Sequence, residues 1–555
     1  MDHDDDDWMR LAIAEARKGI GLTAPNPAVG AVIVKDGRLL GSGWHRRAGQ
    51  SHAEREAIAD AVAKHGEDAC RGATVYVTLE PCSTTGRTPP CCDGLIDAGV
   101  ARVVWGAMDP NPAHAGAAEA VMGTAGIVAE HGVLRDECLQ LIRGFASAQT
   151  RDRPWVMAKT AMSLDGRIER PAGEDQWLSS GASREVVQQL RTEVDAIITS
   201  GATLRADDPS LTLRVDHPHG DKSPLWRVVF SRGGVLPPES KLFTDEFREF
   251  TLIVLVGTVE GSALHRAEHL VTKDNLIVVE TLESGLRALA QRGIHQAMLE
   301  AGGRFLGQWL DHQLIDEFVA FYAPMICGGG ALSVAGVGAS SVDRLPRMVN
   351  RSMEVVGEDV MVRGEVDYSA AEAVSAMPLR PCVLFDRDGV VNDPKENYYV
   401  TRWSEFYFFP GIAEVIREVK LAGCLAVLVT SQRGVGKGEM TQSDLDEIHR
   451  QMQNELATDG AEFDAIYSYC GKEKDGPDAK PRPDMIFRAV DDHGADLHRS
   501  IIVGDADRDI EMGHNAGIPA IRLIGDKAVG VEADFTVDSI DGLAEVLKRW
   551  CASWK

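Results

Sequence analysis

The chain has 555 residues, of which 84 are acidic and 58 are basic, so its formal net charge is −26. At about 150 residues per domain, this length suggests three or four domains. The negative charge argues against nonspecific nucleic-acid binding, which needs a basic surface, and no apolar run approaches the roughly 20 residues that span a membrane. Ten scattered cysteines and an N-terminus without a secretory pattern predict reduced thiols in a cytoplasmic enzyme.

The first predicted elements surround a group of polar residues. A helix is expected from Trp8, with Asp6 or Asp7 of the acidic N-terminal stretch as its cap. A strand, a helix and a strand are then predicted over 28–34, 51–62 and 74–79.

Three side chains at the ends of these elements suit a metal ion. His52 lies at the start of the second helix, Cys82 follows the second strand, and Cys91 comes nine positions later. One imidazole and two thiolates leave the fourth position of a zinc ion open, as in a catalytic site. Glu54 is placed to carry protons to and from water. The pattern H-x-E, P-C and C is typical of zinc-dependent nucleobase deaminases.

The spacing leaves alternatives open. A closed structural zinc site, or cysteines that are simply buried, would use the same residue types. Eight residues separate Cys82 from Cys91, where the simple deaminase signature has two, and Cys92 follows directly. Spacing alone therefore does not decide whether Cys91 or Cys92 is the ligand.

Six short stretches extend this pattern: PNPAVG at 25–30, GWH at 43–45, HAE at 52–54, EPC at 80–82, GRTPPC at 86–91 and DPNP at 109–112. Together they resemble the bifunctional riboflavin-biosynthesis deaminase/reductase family, and the resemblance covers about residues 8–365. It implies a cytidine-deaminase-like α/β/α domain over 1–146, with Zn²⁺ held by His52, Cys82 and Cys91. Thr84 and Thr85 stand where that family usually has one or two histidines.

A second domain is predicted between two linkers, at 146–154 and at 367–380. Strands and helices alternate over 153–366. This part contains no G-x-G-x-x-G, so a Rossmann-type dinucleotide fold is not supported. A Gly302-Gly303 turn before a helix suits phosphate, although such turns are common. Strands are predicted at 155–161, 196–200, 226–230, 251–256 and 296–300, helices at 184–191 and from about Arg304, and a strand-like stretch at 353–366.

Four stretches of this segment are KTAMSLDGR at 159–167, QW at 176–177, TLRADDPSLTLR at 203–214 and EAGG at 300–303. They resemble the reductase half of the same family, which implies a dihydrofolate-reductase-like α/β fold that uses NADPH. The substrate contacts that this resemblance implies are Asp175, Arg191, Leu211, Arg214 and Glu300, and guanidinium groups suit a phosphate. The NADPH contacts that it implies are Ala161, Trp177, Thr203, Asp207, Ser231, Gly302, Gly303, Arg304, Phe305, Leu306, Gly307 and Gln308.

Polar clusters follow predicted apolar strands in the last segment, over 381–550. They are DRDG at 386–389, TS at 430–431, KPRP at 480–483 and GDADRD at 504–509. The carboxyl ends of parallel strands meet at one edge of a sheet, where ligands bind in open α/β folds. Carboxylates can act as nucleophiles toward phosphoryl groups, and Mg²⁺ prefers oxygen ligands.

In this order the clusters resemble the haloacid-dehalogenase phosphatase superfamily, whose fold is a Rossmannoid parallel sheet. The resemblance implies Asp386 as the nucleophile and Asp388 as the acid and base. Mg²⁺ would be held by Asp386, by Asp505 and by the main-chain carbonyl of Asp388. Thr430 and Lys480 would bind the phosphoryl group, and Asp509 would support the site.

NYY at 397–399 and TSQ at 430–432 resemble the histidinol-phosphate and heptose-bisphosphate phosphatase branch of that superfamily. Members of that branch often have a Cys/His zinc loop before the lysine. The stretch 469–479 offers only Cys470, so no zinc is expected there.

These parts predict an enzyme with three activities. The first domain would deaminate 2,5-diamino-6-ribosylamino-4(3H)-pyrimidinone 5′-phosphate, and the second would reduce the ribosyl group of the product with NADPH. The third would remove the 5′-phosphate. As alternatives, the third domain hydrolyses sugar phosphates or another substrate, or serves only assembly. A first domain that edits nucleic acid is disfavoured by the acidic charge and by the lack of a basic, aromatic-rich groove. The sequence leaves a homo-oligomer open.

Overall fold

A computed structural model describes residues 4–84, 89–112, 114–169, 177–257, 261–338, 341–371, 379–393, 399–474, 476, 478–525 and 529–554. The chain forms two compact units. The first comprises 1–230, 237–258 and 268–374, and the second comprises 231–236, 259–267 and 375–555. Within the described ranges, no helix combines the length and the apolarity needed to cross a membrane.

The N-terminal part of the first unit contains α1 (Asp5–Arg17), β1 (Gly30–Lys35), β2 (Arg38–Trp44), α2 (Ala53–His65), β3 (Thr74–Leu79), α3 (Cys91–Asp97), β4 (Arg102–Ala107), α4 (Ala117–Thr124), β5 (Val128–His131), α5 (Arg135–Leu141) and α6 (Arg143–Arg151). Its five-stranded sheet has the order β2-β1-β3-β4-β5. β1 pairs antiparallel with β2 and β3, whereas β3, β4 and β5 run parallel. The carboxyl end of β3 and the amino ends of α2 and α3 carry the candidate zinc ligands.

The cap of α1 differs from the prediction. The helix begins at Asp5, and the side chain of Asp4 accepts a hydrogen bond from the backbone N–H of Asp7 at 3.0 Å. The predicted cap at Asp6 or Asp7 is therefore wrong. Both residues lie in the first turn instead, where a carboxylate interacts favourably with the helix dipole.

The predicted linker at 146–154 is largely helical, because α6 continues to Arg151. The Arg151 guanidinium donates to Asp316 at 2.6 Å and lies 5.5 Å from the Trp155 ring centroid. Arg153 donates to both carboxylate oxygens of Asp316, at 2.7 and 2.8 Å. These contacts order the end of the helix and join it to the following strand.

The rest of the first unit and two segments of the second contain β6 (Trp155–Ser163), α7 (Gly181–Thr192), β7 (Ala196–Ser200), α8 (Gly201–Asp207), β8 (Trp226–Ser231), α9 (Lys241–Thr244), β9 (Thr251–Val256), α10 (Gly261–Glu268), β10 (Leu276–Val279), α11 (Leu282–Gln291), β11 (Gln296–Leu299), α12 (Gly303–Asp311), β12 (Glu317–Ala323), β13 (Arg347–Val356) and β14 (Asp359–Asp367). The nine-stranded sheet has the order β10-β9-β8-β7-β11-β6-β12-β14-β13. Its central strands β7, β11 and β6 are parallel and largely buried, which explains their continuous apolar sequence.

The strand-like stretch predicted at 353–366 is a hairpin. β13 and β14 pair antiparallel, and the chain reverses at Gly357, whose φ of +62° lies in the left-handed region. Glycine adopts that region without a steric cost. The stretch is therefore strand-like as predicted, but it contains a turn between β13 and β14 that the sequence analysis did not place.

The second unit contains β15 (Arg380–Phe385), α13 (Ile412–Leu421), β16 (Leu425–Ser431), α14 (Arg433–Lys437), α15 (Gln442–Ala457), β17 (Ala465–Tyr469), α16 (Asp484–His493), β18 (Ala495–Gly504), α17 (Asp507–Asn515), β19 (Ala520–Leu523), β20 (Phe535–Val537) and α18 (Ile540–Ala552). The described part of the chain also has short 3₁₀ helices at Arg248–Phe250, Lys273–Asn275, Val342–Arg344 and Trp403–Glu405. The six strands are parallel, in the order β17-β16-β15-β18-β19-β20. The carboxyl ends of β15, β16 and β18 therefore lie side by side.

Two segments far from 375–555 in sequence complete the second unit. The Asp491 carboxylate on α16 accepts hydrogen bonds from the Ser231 hydroxyl and from the backbone N–H groups of Arg232 and Gly233. The Arg266 guanidinium lies 4.1 Å from the centroid of the buried Phe487 ring. Ser231, Arg232, Gly233 and Arg266 thus contact α16, which agrees with the place of their segments in the second unit.

Candidate active sites

The first candidate site joins the start of α2, the end of β3 and the start of α3. His52 precedes α2 in an extended conformation, and its Nδ1 lies 3.6 Å from Cys82 Sγ and 3.3 Å from Cys91 Sγ. The backbone N–H of Cys91 donates to Cys82 Sγ at 3.2 Å. The nitrogen and the two sulfurs lie within 4.8 Å of one another, and this donor set fits Zn²⁺.

The structure separates the two neighbouring cysteines. Cys91 is directed toward His52, whereas Cys92 Sγ lies 3.7 Å from the carbonyl oxygen of Pro81. Cys92 is fully buried in an apolar cluster with Leu95 and Trp105. The geometry therefore favours Cys91, since successive helical residues point in different directions.

The surroundings of this site shift the pKa values of Glu54 and Cys82 in opposite directions. Burial raises the pKa of Glu54 above its ordinary value, with His52 opposing the shift. A hydrogen bond from the Cys91 thiol, together with His52, lowers the pKa of Cys82 to about 4 although burial opposes it. The site therefore favours a thiolate at Cys82 and disfavours the charged form of the Glu54 carboxyl, which suits acid–base chemistry.

A cavity of about 400 Å³ opens beside this group. Sequence reasoning gave no role to three of its lining residues, Asn26, His45 and His114. The buried His45 contacts the Ser51 carbonyl through Nδ1 at 2.9 Å and the Asn26 side-chain amide through Nε2 at 3.0 Å. His114 Nδ1 lies 3.5 Å from the Thr84 hydroxyl. Only tertiary structure brings His114 to this wall, because it follows a different strand.

The second candidate site lies around the carboxyl end of β11. The Glu300 carboxylate accepts from Arg191 at 2.8 and 2.9 Å and lies 3.9 Å from Lys159 Nζ. Burial lowers the pKa of Lys159, and Glu300 opposes that shift. Lys159 belongs to a matched sequence stretch but received no role from the sequence.

The loop between α8 and β8 reaches the same site. Arg191 donates to the Thr212 carbonyl at 2.8 Å, and the backbone N–H of Arg214 donates to the Gln188 side chain at 2.8 Å. Leu211 is buried at φ +49°, in the left-handed region that β-carbon sterics disfavour. Such backbone strain clusters at functional sites. Of the five substrate residues implied by resemblance, Arg191 thus lies on α7, Leu211 and Arg214 lie in this loop, and Glu300 directly follows β11. Asp175 lies outside the described residues.

Several expected NADPH residues also converge. Ser200 caps α8, and the Thr203 hydroxyl oxygen accepts from the Gly302 backbone N–H at 3.0 Å. Gly302 precedes α12 without a side-chain cap, so the helix presents backbone donors that fit a phosphate of NADPH. Residues Gly303, Arg304, Phe305, Leu306, Gly307 and Gln308 form the first two turns of α12.

Four other expected NADPH residues lie on separate elements. Ala161 lies on β6 and Asp207 ends α8. Trp177 is 46% exposed, with Arg184 5.3 Å from its ring centroid. Ser231 belongs to the second unit, where its hydroxyl contacts Asp491. The structure does not place Ser231 with Thr203 and Gly302 in a shared hydrogen-bond network of described residues.

The third candidate site lies at the carboxyl edge of the parallel sheet. Lys480 Nζ donates to Asp386 Oδ1 and to Asp509 Oδ1, both at 2.7 Å, and all three side chains are buried. Burial lowers the pKa of Lys480, but the two carboxylates outweigh it and raise the pKa above its ordinary value. The lysine is therefore held as a cation.

Carboxylates at this edge fit a hard cation. Oxygens of Asp386, Asp505 and Asp509 lie within 4.8 Å of one another. Asp386 Oδ2 is buried and has no hydrogen-bond partner among the described residues. This orphaned oxygen and the oxygen-only donor set suit Mg²⁺. The Asp388 carboxylate points elsewhere, toward Arg387 and Gln432, which agrees with a ligand role for its main chain alone.

Thr430, at the end of β16, is tied to Asp388 by one side chain. Gln432 Nε2 donates to Thr430 Oγ1 and to Asp388 Oδ2, both at 2.8 Å. Burial raises the pKa of Asp388, but the Arg387 charge and the hydrogen bonds outweigh it, so the pKa lies below its ordinary value. Neither Arg387 nor Gln432 was assigned a role from the sequence.

Three family models match the chain. The cytidine and deoxycytidylate deaminase zinc-binding region matches residues 2–107, the RibD C-terminal domain matches 154–362, and the haloacid dehalogenase-like hydrolases match 384–523. These matches confirm the predicted α/β fold class and its deaminase-like, reductase-like and haloacid-dehalogenase-like parts.

Individual relatives cover the first two of these parts. Riboflavin biosynthesis protein RibD of Aquifex aeolicus is 36% identical over 361 residues, which make up 64% of this chain and 97% of that protein. The RibD protein of Escherichia coli is 37% identical, over 64% of this chain and 98% of its own length. The crystal structure of a Thermotoga maritima diaminohydroxyphosphoribosylaminopyrimidine deaminase/5-amino-6-(5-phosphoribosylamino)uracil reductase is 33% identical, with a TM-score of 0.57 over 65% of this chain and 98% of that chain.

Proposed function

Because the chain belongs to the RibD family of riboflavin-biosynthesis deaminase/reductases and continues into a haloacid-dehalogenase-like phosphatase domain, we propose that it performs three successive steps on one phosphorylated pyrimidine. The substrate of the first step is 2,5-diamino-6-ribosylamino-4(3H)-pyrimidinone 5′-phosphate. The second step reduces 5-amino-6-(5-phosphoribosylamino)uracil, and the third removes the 5′-phosphate of the ribityl product. The Thermotoga maritima relative carries the names of the first two activities.

For deamination, His52, Cys82 and Cys91 would hold Zn²⁺, which when bound supplies a polarised water. Glu54 would take a proton from the attacking water and deliver it to the leaving amine. Its burial and raised pKa support this role, because a carboxyl whose pKa is raised accepts a proton more readily than an exposed one. The neighbouring cavity would hold the pyrimidine.

For reduction, NADPH supplies the hydride when bound. Thr203 fixes the backbone of Gly302 at the start of α12, where phosphate would bind. Arg191 and Arg214 would bind the phosphate or the sugar of the substrate, and Glu300 holds Arg191 in position. Ala161, Trp177, Asp207 and Ser231 stay as proposed NADPH contacts, and Asp175 and Leu211 as proposed substrate contacts.

For dephosphorylation, Mg²⁺ held by Asp386, Asp505 and the Asp388 main chain would supply positive charge to the phosphoryl oxygens. Asp386 would attack phosphorus, and Asp388 would donate a proton to the leaving oxygen. The observation that most supports this assignment is that the positively charged Lys480 donates hydrogen bonds to Asp386 and Asp509. These residues lie at the edge of the sheet where β16 ends near Thr430. A buried cation at this place can bind the transferred phosphoryl group.

A mass-spectrometric time course tests the assignment. The full chain is mixed with Zn²⁺, Mg²⁺, NADPH and the diaminopyrimidine phosphate, beside an Asp386→Asn variant and an Asp541→Asn control on an exposed turn of α18. We expect dephosphorylated 5-amino-6-ribitylaminouracil from the wild type and the control, and its phosphate from Asp386→Asn. If the phosphate accumulates in all three, the third domain acts on another substrate or serves assembly.

A further inference from the structure

Arg387 occupies an unusual place for an arginine. It stands between the candidate nucleophile and the candidate acid in sequence, and its side chain is 0% exposed. Burying a guanidinium is costly unless it is paired and hydrogen-bonded. Its Nε and Nη2 atoms donate to the Asp388 carboxylate at 3.0–3.1 Å. The planar guanidinium therefore contacts both oxygens of one carboxylate.

Other groups fix the far side of this guanidinium. Nη1 lies 3.5 Å from His449 Nε2, and an arginine can only donate, so Nε2 is the acceptor of this contact. Burial and the Arg387 charge lower the pKa of His449 to about 3, so that the ring is neutral. The guanidinium carbon lies 5.9 Å from the Phe406 ring centroid. The arginine is thus held between a neutral imidazole, an aromatic ring and Asp388.

Gln432 makes a second side-chain contact with the Asp388 carboxylate. Gln432, also 0% exposed, donates from Nε2 to Asp388 Oδ2 and to Thr430 Oγ1. The Asp388 carboxylate is therefore bound by two buried side chains from different parts of the chain. Through Gln432 it has a fixed relation to Thr430, the candidate phosphoryl-binding residue.

We propose that Arg387 is a positioning residue that, together with Gln432, orients Asp388 for proton transfer to the leaving group. The proposal rests on the phosphatase function proposed above. Before the first step Asp388 takes up a proton from solvent; an Asp386 oxygen then bonds to phosphorus, the bond from phosphorus to the leaving oxygen breaks, and the Asp388 proton moves to that oxygen. In the second step Asp388 takes a proton from water, the water oxygen bonds to phosphorus, and the bond to Asp386 breaks, releasing inorganic phosphate.

This role predicts a dependence on the leaving group. p-Nitrophenolate is a stable anion at neutral pH and departs without a proton, whereas phenolate is more basic and benefits from protonation. A misoriented Asp388 should therefore slow the hydrolysis of phenyl phosphate much more than that of p-nitrophenyl phosphate. Loss of folded protein or of Mg²⁺ would slow both esters alike.

The test measures kcat/KM for both esters with the full chain and Mg²⁺, because both esters form the same Asp386 phosphoenzyme and kcat/KM reports on the step in which the leaving group departs. Arg387→Met, Arg387→Lys and Gln432→Leu are compared with Asp388→Asn and with Arg522→Met. Arg522 is a buried arginine of the same unit, 2% exposed, that pairs with Asp507 and donates to the main-chain carbonyl of Asp505. Its loss can slow both esters through the Mg²⁺ site but leaves Asp388 untouched, so the ratio should not change. A melting curve accompanies each variant.

We expect the ratio of phenyl to p-nitrophenyl hydrolysis to fall about 10²–10⁴-fold in Asp388→Asn, the usual range for a general acid. It should fall at least about tenfold in Arg387→Met and in Gln432→Leu, less in Arg387→Lys, and stay constant in Arg522→Met. If Arg387→Met does not fold, the ratios of Arg387→Lys and Gln432→Leu decide.

An unchanged ratio in the folded Arg387 and Gln432 variants, with both esters slowed equally, would show a purely structural arginine and overturn the proposal. Hydrolysis of neither ester by the wild type, together with no release of phosphate from the ribityl product in the time course above, would instead remove the proposed phosphatase function, and the role of Arg387 with it.

Discussion

Thr203 and Gly302 are 99 positions apart in the chain, and the Thr203 hydroxyl accepts a hydrogen bond from the Gly302 backbone N–H at 3.0 Å. This bond fixes the backbone just before the uncapped start of α12. The phosphate-binding geometry expected there therefore depends on a side chain from a different helix.

Thr203→Val should weaken NADPH binding, because valine keeps the shape of threonine without the acceptor. A hydrogen bond worth about 1 kcal/mol corresponds to a rise of roughly five- to tenfold in the KM for NADPH. Steady-state kinetics and a fluorescence titration of NADPH measure the change, with deamination as an internal reference. Thr124→Val, an exposed position whose hydroxyl donates to the Ala120 carbonyl, is the control. An unchanged KM and Kd in Thr203→Val would contradict the role.

Substitutions of the neighbouring residues Cys91 and Cys92 should have different effects on the zinc content of the protein. Cys91→Ser should lose bound zinc and deaminase activity, because it removes one of three ligands. Cys92→Ser should keep zinc and most activity, at a cost of about 1–3 kcal/mol for a hydroxyl in an apolar cluster. Elemental analysis of the purified proteins gives the zinc content. Zinc loss from Cys92→Ser with retention in Cys91→Ser would reverse the assignment.

Mg²⁺ should stabilise the second unit through Asp505. A ligand that binds only the folded state raises stability by about 2.7 kcal/mol at a hundred times its Kd. The melting temperature of the wild type should rise with added Mg²⁺, and that of Asp505→Asn should rise far less. Asp541→Asn should behave as the wild type. An equal rise in Asp505→Asn would exclude this carboxylate as a ligand.

Because of Lys222, the stability of the first unit should increase as the pH rises through the alkaline range. Its ammonium group donates to the Gly21 carbonyl, and burial lowers its pKa to about 8, with Asp195 opposing the shift. The unfolded lysine titrates near 10.4, so between pH 8 and about 10.4 the unfolded state binds more protons and stability rises with pH. Below pH 8 the folded state bears the cost of a buried charge.

The difference in melting temperature between wild type and Lys222→Met, measured at pH 7.5 and pH 9.5, tests this sign. The melting temperature of the wild type should increase relative to that of the variant as the pH rises. Lys241→Met, whose ammonium is largely exposed, controls for general charge effects. A constant difference would mean that Lys222 titrates normally in the folded protein.

The sequence predicted most strands correctly because strands buried on both faces, such as those around Ile198 and Val427, are continuously apolar. It placed Asp386, Thr430 and Asp505 at one edge because strand polarity alone brings those ends together. The helix cap was missed because four consecutive aspartates are all good caps, and only the contact between Asp4 and Asp7 selects one.

The sequence did not predict the residues whose roles depend on contacts between distant parts of the chain. His114 reaches the deaminase cavity from the loop after β4, and Gln432 joins Asp388 to Thr430 across two strands. His114 has no local pattern that distinguishes it from a surface histidine. Gln432 lies in the TSQ stretch at 430–432, but that pattern does not indicate a contact with Asp388. Spacing alone did not separate Cys91 from Cys92; the family resemblance selected Cys91, and the directions of the two side chains at the start of α3 agree with that choice.

The membership of residues 231–236 and 259–267 in the second unit has a consequence for dissecting the protein. A fragment cut at residue 375 would leave behind the Ser231, Arg232 and Gly233 donors of Asp491 and uncover the ring of Phe487 under Arg266. The phosphatase domain therefore cannot be separated intact from the rest of the chain, or replaced by another domain, by a single cut at the linker. A fragment meant to fold as the second unit would have to include the segments at 231–236 and 259–267 as well as 375–555.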